Sequence, residues 1–269
     1  MRINHNIQAL NAYRNLNQTM NDTSKSLEKL SSGLRINRAA DDAAGLAISE
    51  KMRSQIRGLE MAERNALDAI SLVQTAEGAL ASTHDILQRM RELSVQASNG
   101  TLEDEDKEAV QDEVNELVKE INRIADKTQF NSKVLLDESE ADGFTFQIGA
   151  NEGEQVVLNI GKMDASELGI DALDLVEEPQ EAITSISDAI ALVSKERSNL
   201  GAFQNRLEHT VSNLQSANEN LTAAESRIRD LDMAKEMSQF TRNNILNQAG
   251  QAMLAQANQL PQGILQLLQ

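Results

Sequence analysis

The 269-residue sequence has no cysteine, no tryptophan and two prolines, and its only aromatic side chains are Tyr13, Phe130, Phe144, Phe146, Phe203 and Phe240. Without cysteine there is no disulfide framework, no thiolate nucleophile and no thiolate-held zinc or iron–sulfur centre. So few aromatics exclude a compact globule built around large rings. The core must come from Leu, Ile, Val, Ala and Met, which long helices use readily. No run approaches the roughly 18 apolar residues of a membrane span, so no membrane insertion is expected. The N-terminal stretch MRINHNIQALNAYRNLNQ lacks the apolar core of a cleaved secretory signal. The expectation is a cytosolic chain, or one that leaves the cell without a cleaved signal.

Positive charge is also scarce: 25 Lys and Arg face 42 Asp and Glu, for a net charge of −17. That balance disfavours nucleic acid and anionic membrane surfaces as partners. The excess is concentrated. Residues 101–181 carry 23 acids against 6 bases, whereas the flanking thirds nearly cancel. No acid precedes Asp22 and no charged residue follows Arg242.

What is present is helical periodicity. Ile186, Val193, Leu200, Leu207, Leu214, Leu221 and Ile228 recur at seven-residue steps, with Phe203, Thr210, Ala217, Ala224 and Leu231 three residues after five of them. This is a coiled-coil seam. A second runs through Leu59, Ala66, Val73, Leu80 and Leu87, with Ile56 and Ile70 as companions, and should end near Ser98-Asn99-Gly100. Val110, Val114, Leu117, Ile121 and Ile124 mark a shorter amphipathic helix folded back on the others.

The sole β signal is a hairpin. Phe144, Phe146 and Ile148 alternate with polar residues, Asn151-Glu152-Gly153-Glu154 supplies a turn, and Val156, Leu158 and Ile160 alternate again. Its apolar face should pack on the end or side of the helices, and Pro179 marks the return to helix. At the termini, Tyr13, Leu16, Met20, Leu27, Leu30 and Leu34 form one stripe, continued by Ile3, Ile7 and Leu10 after a one-residue slip. Leu246, Ala249, Met253, Ala257, Leu260, Ile264 and Leu267 form another, interrupted at Pro261. The two terminal helices are expected to pair with each other, and their uncharged Asn/Gln-rich outer faces to suit burial against copies of the chain. The fold class is therefore mainly α: a long coiled-coil or helical-bundle rod with a small β-hairpin region and paired termini.

Catalytic chemistry is hard to find. His5, His84 and His209 lack metal-site spacing, Asp41-Asp42 reads as a helix cap and interface element, and Gly149, Gly153 and Gly161 fit hairpin turns better than a phosphate loop. No catalytic residue, metal or cofactor is expected.

The run Leu30-Ser31-Ser32-Gly33-Leu34-Arg35-Ile36-Asn37, followed by Ala39-Ala40-Asp41-Asp42-Ala43-Ala44-Gly45-Leu46-Ala47-Ile48-Ser49, resembles bacterial flagellin. So do Gln88-Arg89-Met90-Arg91-Glu92-Leu93, Thr128-Gln129-Phe130-Asn131, Phe146-Gln147-Ile148-Gly149-Ala150-Asn151 and Ala255 to Gln262, so that the likeness spans the chain. The resemblance implies an inner coiled-coil domain over 1–43 and 230–269, and a rod over 44–229 with its β-hairpin region at about 133–178. It implies a minimal form without large variable outer domains. It further implies unfolded export through the flagellar channel, a cytosolic export chaperone at residues 230–269, hook-associated and cap proteins as partners, and a secreted, extracellular filament serving motility. Self-assembly is assigned to Ile3, Ile7, Leu10, Leu16, Leu27, Leu30, Leu34, Leu246, Met253, Leu260, Ile264 and Leu267. Contacts to the vertebrate Toll-like receptor for flagellin are assigned to Gln88, Arg89, Arg91, Glu92, Leu93 and Glu113. The rivals are a hook–filament junction protein, which would form only a short ring, and a cytosolic coiled-coil scaffold, which would stay in the cell.

Overall fold

The computed structural model describes residues 6–99, 103–137 and 143–267, with the side chains of all but 104 and 260–267. The described residues form α1 (Ile7–Ser32), α2 (Ala43–Ala97), α3 (Asp104–Lys127), α4 (Pro179–Arg229) and α5 (Met233–Leu267). Two antiparallel hairpins lie between α3 and α4: β1 (Gln129–Phe130) with β2 (Lys133–Val134), and β3 (Phe144–Gln147) with β4 (Gln155–Leu158). The fold is mainly α, as the periodicities require. It divides into two compact units, residues 56–219 and residues 1–55 with 220–269.

In the 56–219 unit, α2 and α4 run antiparallel, since Gln215 bonds Glu63 and Arg197 pairs with Glu77. Ile186, Val193, Leu200, Leu207 and Leu214 of the α4 seam are buried, but the line does not stay closed: Leu221 and Ile228 are only half-buried. The residues three positions on, Thr210, Ala217 and Ala224, are too small or polar to seal it. The α2 seam also differs from expectation. Ala66, Val73, Leu80 and Leu87 are buried, yet the companions are Ala62, Ala69, Ala76, Met90 and Ala97, while Ile56 and Ile70 stay half-exposed. The buried residues of α2 thus fall on two adjacent stripes, the second made mostly of alanine. Val110, Val114, Val118, Ile121 and Ala125 supply the inner face of α3.

The larger hairpin pairs Phe144 with Leu158 and Gln147 with Gln155, in agreement with the alternation in sequence. Its turn lies along the side of α2, where Asn65 Nδ2 donates to the Gln147 carbonyl at 3.1 Å. Within the turn, Glu154 accepts from the Asn151 side chain and amide, which holds its carboxyl below the usual range. The small β1–β2 hairpin had no recognised sequence signal. Its turn residues Asn131 and Ser132 both adopt positive φ, 49° and 66°, as a two-residue turn of this type demands. Residues 159–178 are more than a connection: Ile160, Met163, Ala165, Leu168, Ile170 and Leu175 complete the core. Their backbone is pinned to α3 by Gln111, bonded to both Leu173 and Leu175 at 2.8 Å, and by Asn122 bonded to Ala165.

Two helical glycines of α2 should respond oppositely to substitution. Gly78 faces open space, whereas a Cβ on Gly58 would lie 2.8 Å from the Cβ of Ala150 in the hairpin turn. Gly78→Ala is expected to raise stability by about 0.5–1 kcal/mol. Gly58→Ala is expected to lower the midpoint of thermal unfolding, because the docked turn must move.

Candidate functional site

The terminal helices pair, but only in part through the stripes read from the sequence: Leu16, Leu30 and Ala257 of those stripes turn inward, and Tyr13, Met20, Leu27, Leu246 and Met253 do not. α1 starts at Asn6, whose side chain accepts from the Ala9 amide, and stops at Gly33, which takes φ 72° and closes the last turn on the Lys29 carbonyl. The face of α1 turned toward α5 consists of Ala9, Ala12, Leu16, Thr19, Thr23, Ser26 and Leu30. From α5 come Phe240, Asn243, Asn247, Gly250, Leu254 and Ala257. The pair is antiparallel: Asn6 Nδ2 donates to the Ala257 carbonyl at 2.7 Å, Asn247 Nδ2 donates to Thr23 Oγ1 at 2.8 Å, and Gly250 lies against Leu16.

Most of the other large apolar residues of the pair face outward. Ile7, Leu10, Tyr13, Met20 and Leu27 on α1 are exposed, as are Met237, Ile245, Leu246 and Met253 on α5. The outer faces are rich in Asn and Gln as expected, with Asn11, Asn15, Asn17, Asn21, Asn244 and Gln248 exposed, but they carry these aliphatic residues as well, while Thr19, Thr23, Asn243 and Asn247 lie inside the pair. Small and polar residues permit close helix approach, and both helices carry them at heptad spacing, so this stripe competes successfully with the apolar one. Of the residues assigned to self-assembly, Ile7, Leu10, Leu27, Leu246 and Met253 are exposed, while Leu16, Leu30 and Leu34 are half-buried within the chain. Ile3 lies outside the described residues, and so do the side chains of Leu260, Ile264 and Leu267. An open groove of about 540 Å³ runs beside Ile7, Leu10, Tyr13 and Leu254.

The other end of this unit is clasped. Arg35 Nε and Nη2 both donate to the Ile228 carbonyl, at 3.0 and 2.6 Å, and the Leu231 amide donates to the Gly33 carbonyl. Leu34 and Asp230 form a single antiparallel bridge. Arg229 bonds Glu50, and this bond holds the Glu50 carboxyl below its usual range. Asp42 caps α2 by accepting from the Gly45 amide at 2.8 Å, while Asp41 accepts from the Asn37 and Arg38 amides. The cap reading thus holds for Asp42, whereas Asp41 closes the turn that precedes the helix.

The residues that the resemblance assigns to receptor contact lie on α2 and α3. Arg89 Nε and Nη2 donate to Glu113 Oε1 at 3.1 and 3.0 Å, and Nη1 donates to Glu92 at 3.2 Å. The Glu113 bond is the main reason that the guanidinium is held above its usual pKa. Gln88, Arg89, Arg91, Glu92 and Glu113 are exposed. Leu93 is not: it is 2% exposed, packed in the core between the helices. Its assignment as a surface contact is therefore corrected, because it sits three residues after the buried Met90 on the inner stripe of α2.

The residues missed by sequence reasoning are Thr23, Asn243, Asn247 and Gly250. Their only signal was heptad spacing of small and polar types, which a search for hydrophobic stripes passes over. Among the described residues no group of three His, Asp or Glu side chains could hold a metal ion, and no helix is long and apolar enough to cross a membrane.

Comparison with known proteins identifies relatives along the whole chain. The bacterial flagellin N-terminal helical region matches residues 3–141, and the bacterial flagellin C-terminal helical region matches residues 183–268. The chain is 60% identical over 272 residues to a flagellin of Halalkalibacterium halodurans, and 54% identical over 303 residues to a flagellin of Bacillus subtilis, covering 100% of both chains in each case. It is similar to the crystal structure of Bacillus cereus flagellin with a TM-score of 0.52 and 33% identity, over 60% of this chain and 94% of that one.

Proposed function

Because this chain belongs to the bacterial flagellin family, a family of structural filament subunits and not of enzymes, we propose that it acts by polymerising with its own copies into an extracellular helical flagellar filament for motility. The observation that carries this reading is the outward apolar face of the terminal pair. Ile7, Leu10, Tyr13, Met20 and Leu27 of α1 and Ile245, Leu246 and Met253 of α5 are each at least half exposed, and clustered exposed apolar side chains mark association surfaces. Residues 1–43 and 230–269 are the assembly domain, and 44–229 form the remainder of the subunit. Contacts made by this face are heterologous and do not close, as a fibre requires.

The same face accounts for the remaining partners. Before export it needs cover, so a cytosolic chaperone holds residues 230–269, and the chain leaves unfolded through the flagellar channel. Hook-associated and cap proteins meet it at the two ends of the filament. Full-length identity to flagellins, at 60%, favours a filament subunit over a junction protein. The exposed guanidinium of Arg89, held by Glu113 and Glu92, supports a second role as a ligand of the vertebrate Toll-like receptor.

A charged residue within the apolar face tests the reading. Leu10→Asp and Leu246→Asp each bury an unpaired carboxylate at a subunit contact, at a cost of about 3 kcal/mol or more. That corresponds to roughly a hundredfold rise in the concentration at which seeds elongate. Elongation measured by light scattering at the unaltered concentration would refute the assignment of this face.

A further inference from the structure

The seam inside the terminal pair poses its own question. Asn243 is 5% exposed, and its Nδ2 has no hydrogen-bond partner; Asn247 Oδ1, one helical turn on, has none either. Leucine at these positions would bury apolar area and leave no unpaired amide, so the asparagines weaken the pairing. In coiled coils a polar residue in the seam has a known use: it permits one alignment of the helices and penalises the others, at a cost in stability. We infer that Asn243 and Asn247, together with Thr23, set the register in which α1 lies against α5.

The heptad spacing makes such a device necessary. Ala9, Ala12 and Thr19 are small enough to face almost any partner, so shape alone discriminates poorly between alignments one heptad apart. The polar contacts discriminate well. In the observed register Thr23 Oγ1 accepts from Asn247 at 2.8 Å, and Leu16 fits against the bare backbone of Gly250. Sliding α5 by seven residues in either direction puts Phe240 or Leu254 opposite Thr23, and Asn243 or Ala257 opposite Leu16. The Thr23 bond is then lost and the asparagine amides meet apolar side chains. Register in turn decides which apolar residues of the two helices stand side by side on the outer face. In that consequence the inference rests on the assembly reading above, and in its mechanism it does not.

The absence of cysteine from the whole chain allows a clean test. An ideal Cβ on Gly250 lies 3.9 Å from the Leu16 Cβ, inside the range of about 3.5–4.5 Å that a disulfide spans. Leu16→Cys with Gly250→Cys reports the observed register, and Leu16→Cys with Ala257→Cys reports a slip of one heptad. Both pairs are oxidised in dilute full-length protein without seeds, and the intramolecular cross-link is read by mass spectrometry. With the native asparagines only the first pair should close, by at least tenfold. With Asn243→Leu and Asn247→Leu added, the slipped pair should close to a comparable extent. Thr23→Ala with Asn247→Ala removes the bond without adding apolar surface, and should also admit the slipped pair. If both backgrounds keep the 16/250 cross-link and exclude 16/257, the asparagines do not set the register. Since no filament forms in this assay, its outcome is separate from that of the elongation assay.

Discussion

Removal of residues 1–43 and 230–269 is expected to abolish seeded filament growth entirely while leaving a soluble, helical protein. The two halves of this expectation rest on different parts of the chain. The deletion takes away every exposed aliphatic residue of the terminal pair, from Ile7 and Leu10 to Leu246 and Met253. At about 1.5–3 kcal/mol per fully buried side chain, the loss of even a few exceeds the roughly 1.4 kcal/mol that changes an equilibrium tenfold. The remaining chain keeps the continuous core of α2, α3, α4 and residues 159–178, from Leu72 through Ile121 and Ile170 to Leu200. Circular dichroism should show the helices retained, and electron microscopy after seeding should show no elongation. Growth of the truncated chain at the concentration used for the full chain would overturn the assembly role of the termini.

The second large effect separates recognition from packing on α2. Arg89→Ala is expected to lower activation of the vertebrate Toll-like receptor by soluble monomer by at least tenfold, with little change in thermal stability. Arg89 is exposed and fixed by Glu113 and Glu92, so its removal deletes an oriented guanidinium from the surface and leaves no buried group unpaired. Leu93→Ala should behave in the opposite way. At 2% exposure it leaves a cavity between helices, at a cost of about 2–5 kcal/mol in stability. Its effect on activation should follow the folded fraction. A reporter-cell assay alongside thermal unfolding distinguishes the two, and unchanged activation by Arg89→Ala would remove this patch from the receptor reading.

Much of this architecture is legible in the chain because it is local. Val110 to Ala125 shows its inner face at helical spacing, the strands holding Phe144 and Val156 alternate, and Pro179 begins a helix as its fixed φ and missing N–H favour. The small hairpin at Asn131-Ser132 was not legible, because two-residue strands carry too little alternation to register. The core role of residues 159–178 was obscured for a related reason. Irregular backbone has no periodicity, so Met163, Leu168 and Leu175 look like scattered apolar residues until Gln111 and Asn122 hold their loop in place.

The sequence by itself determined a helical chain with little aromatic core, heptad seams on both sides of an acidic middle, termini suited to association, and membership of the flagellin family. Each of these follows from composition, short-range spacing or contiguous motifs, which survive without knowledge of what lies opposite. Only the tertiary structure decided which stripe of α1 and α5 turns inward, and that Leu93 belongs to the core. A helix bearing two eligible stripes does not reveal its own choice. The outcome depends on the partner surface, where Gly250 admits Leu16 and Asn247 meets Thr23, and most of the other large aliphatic residues are left facing outward as a consequence.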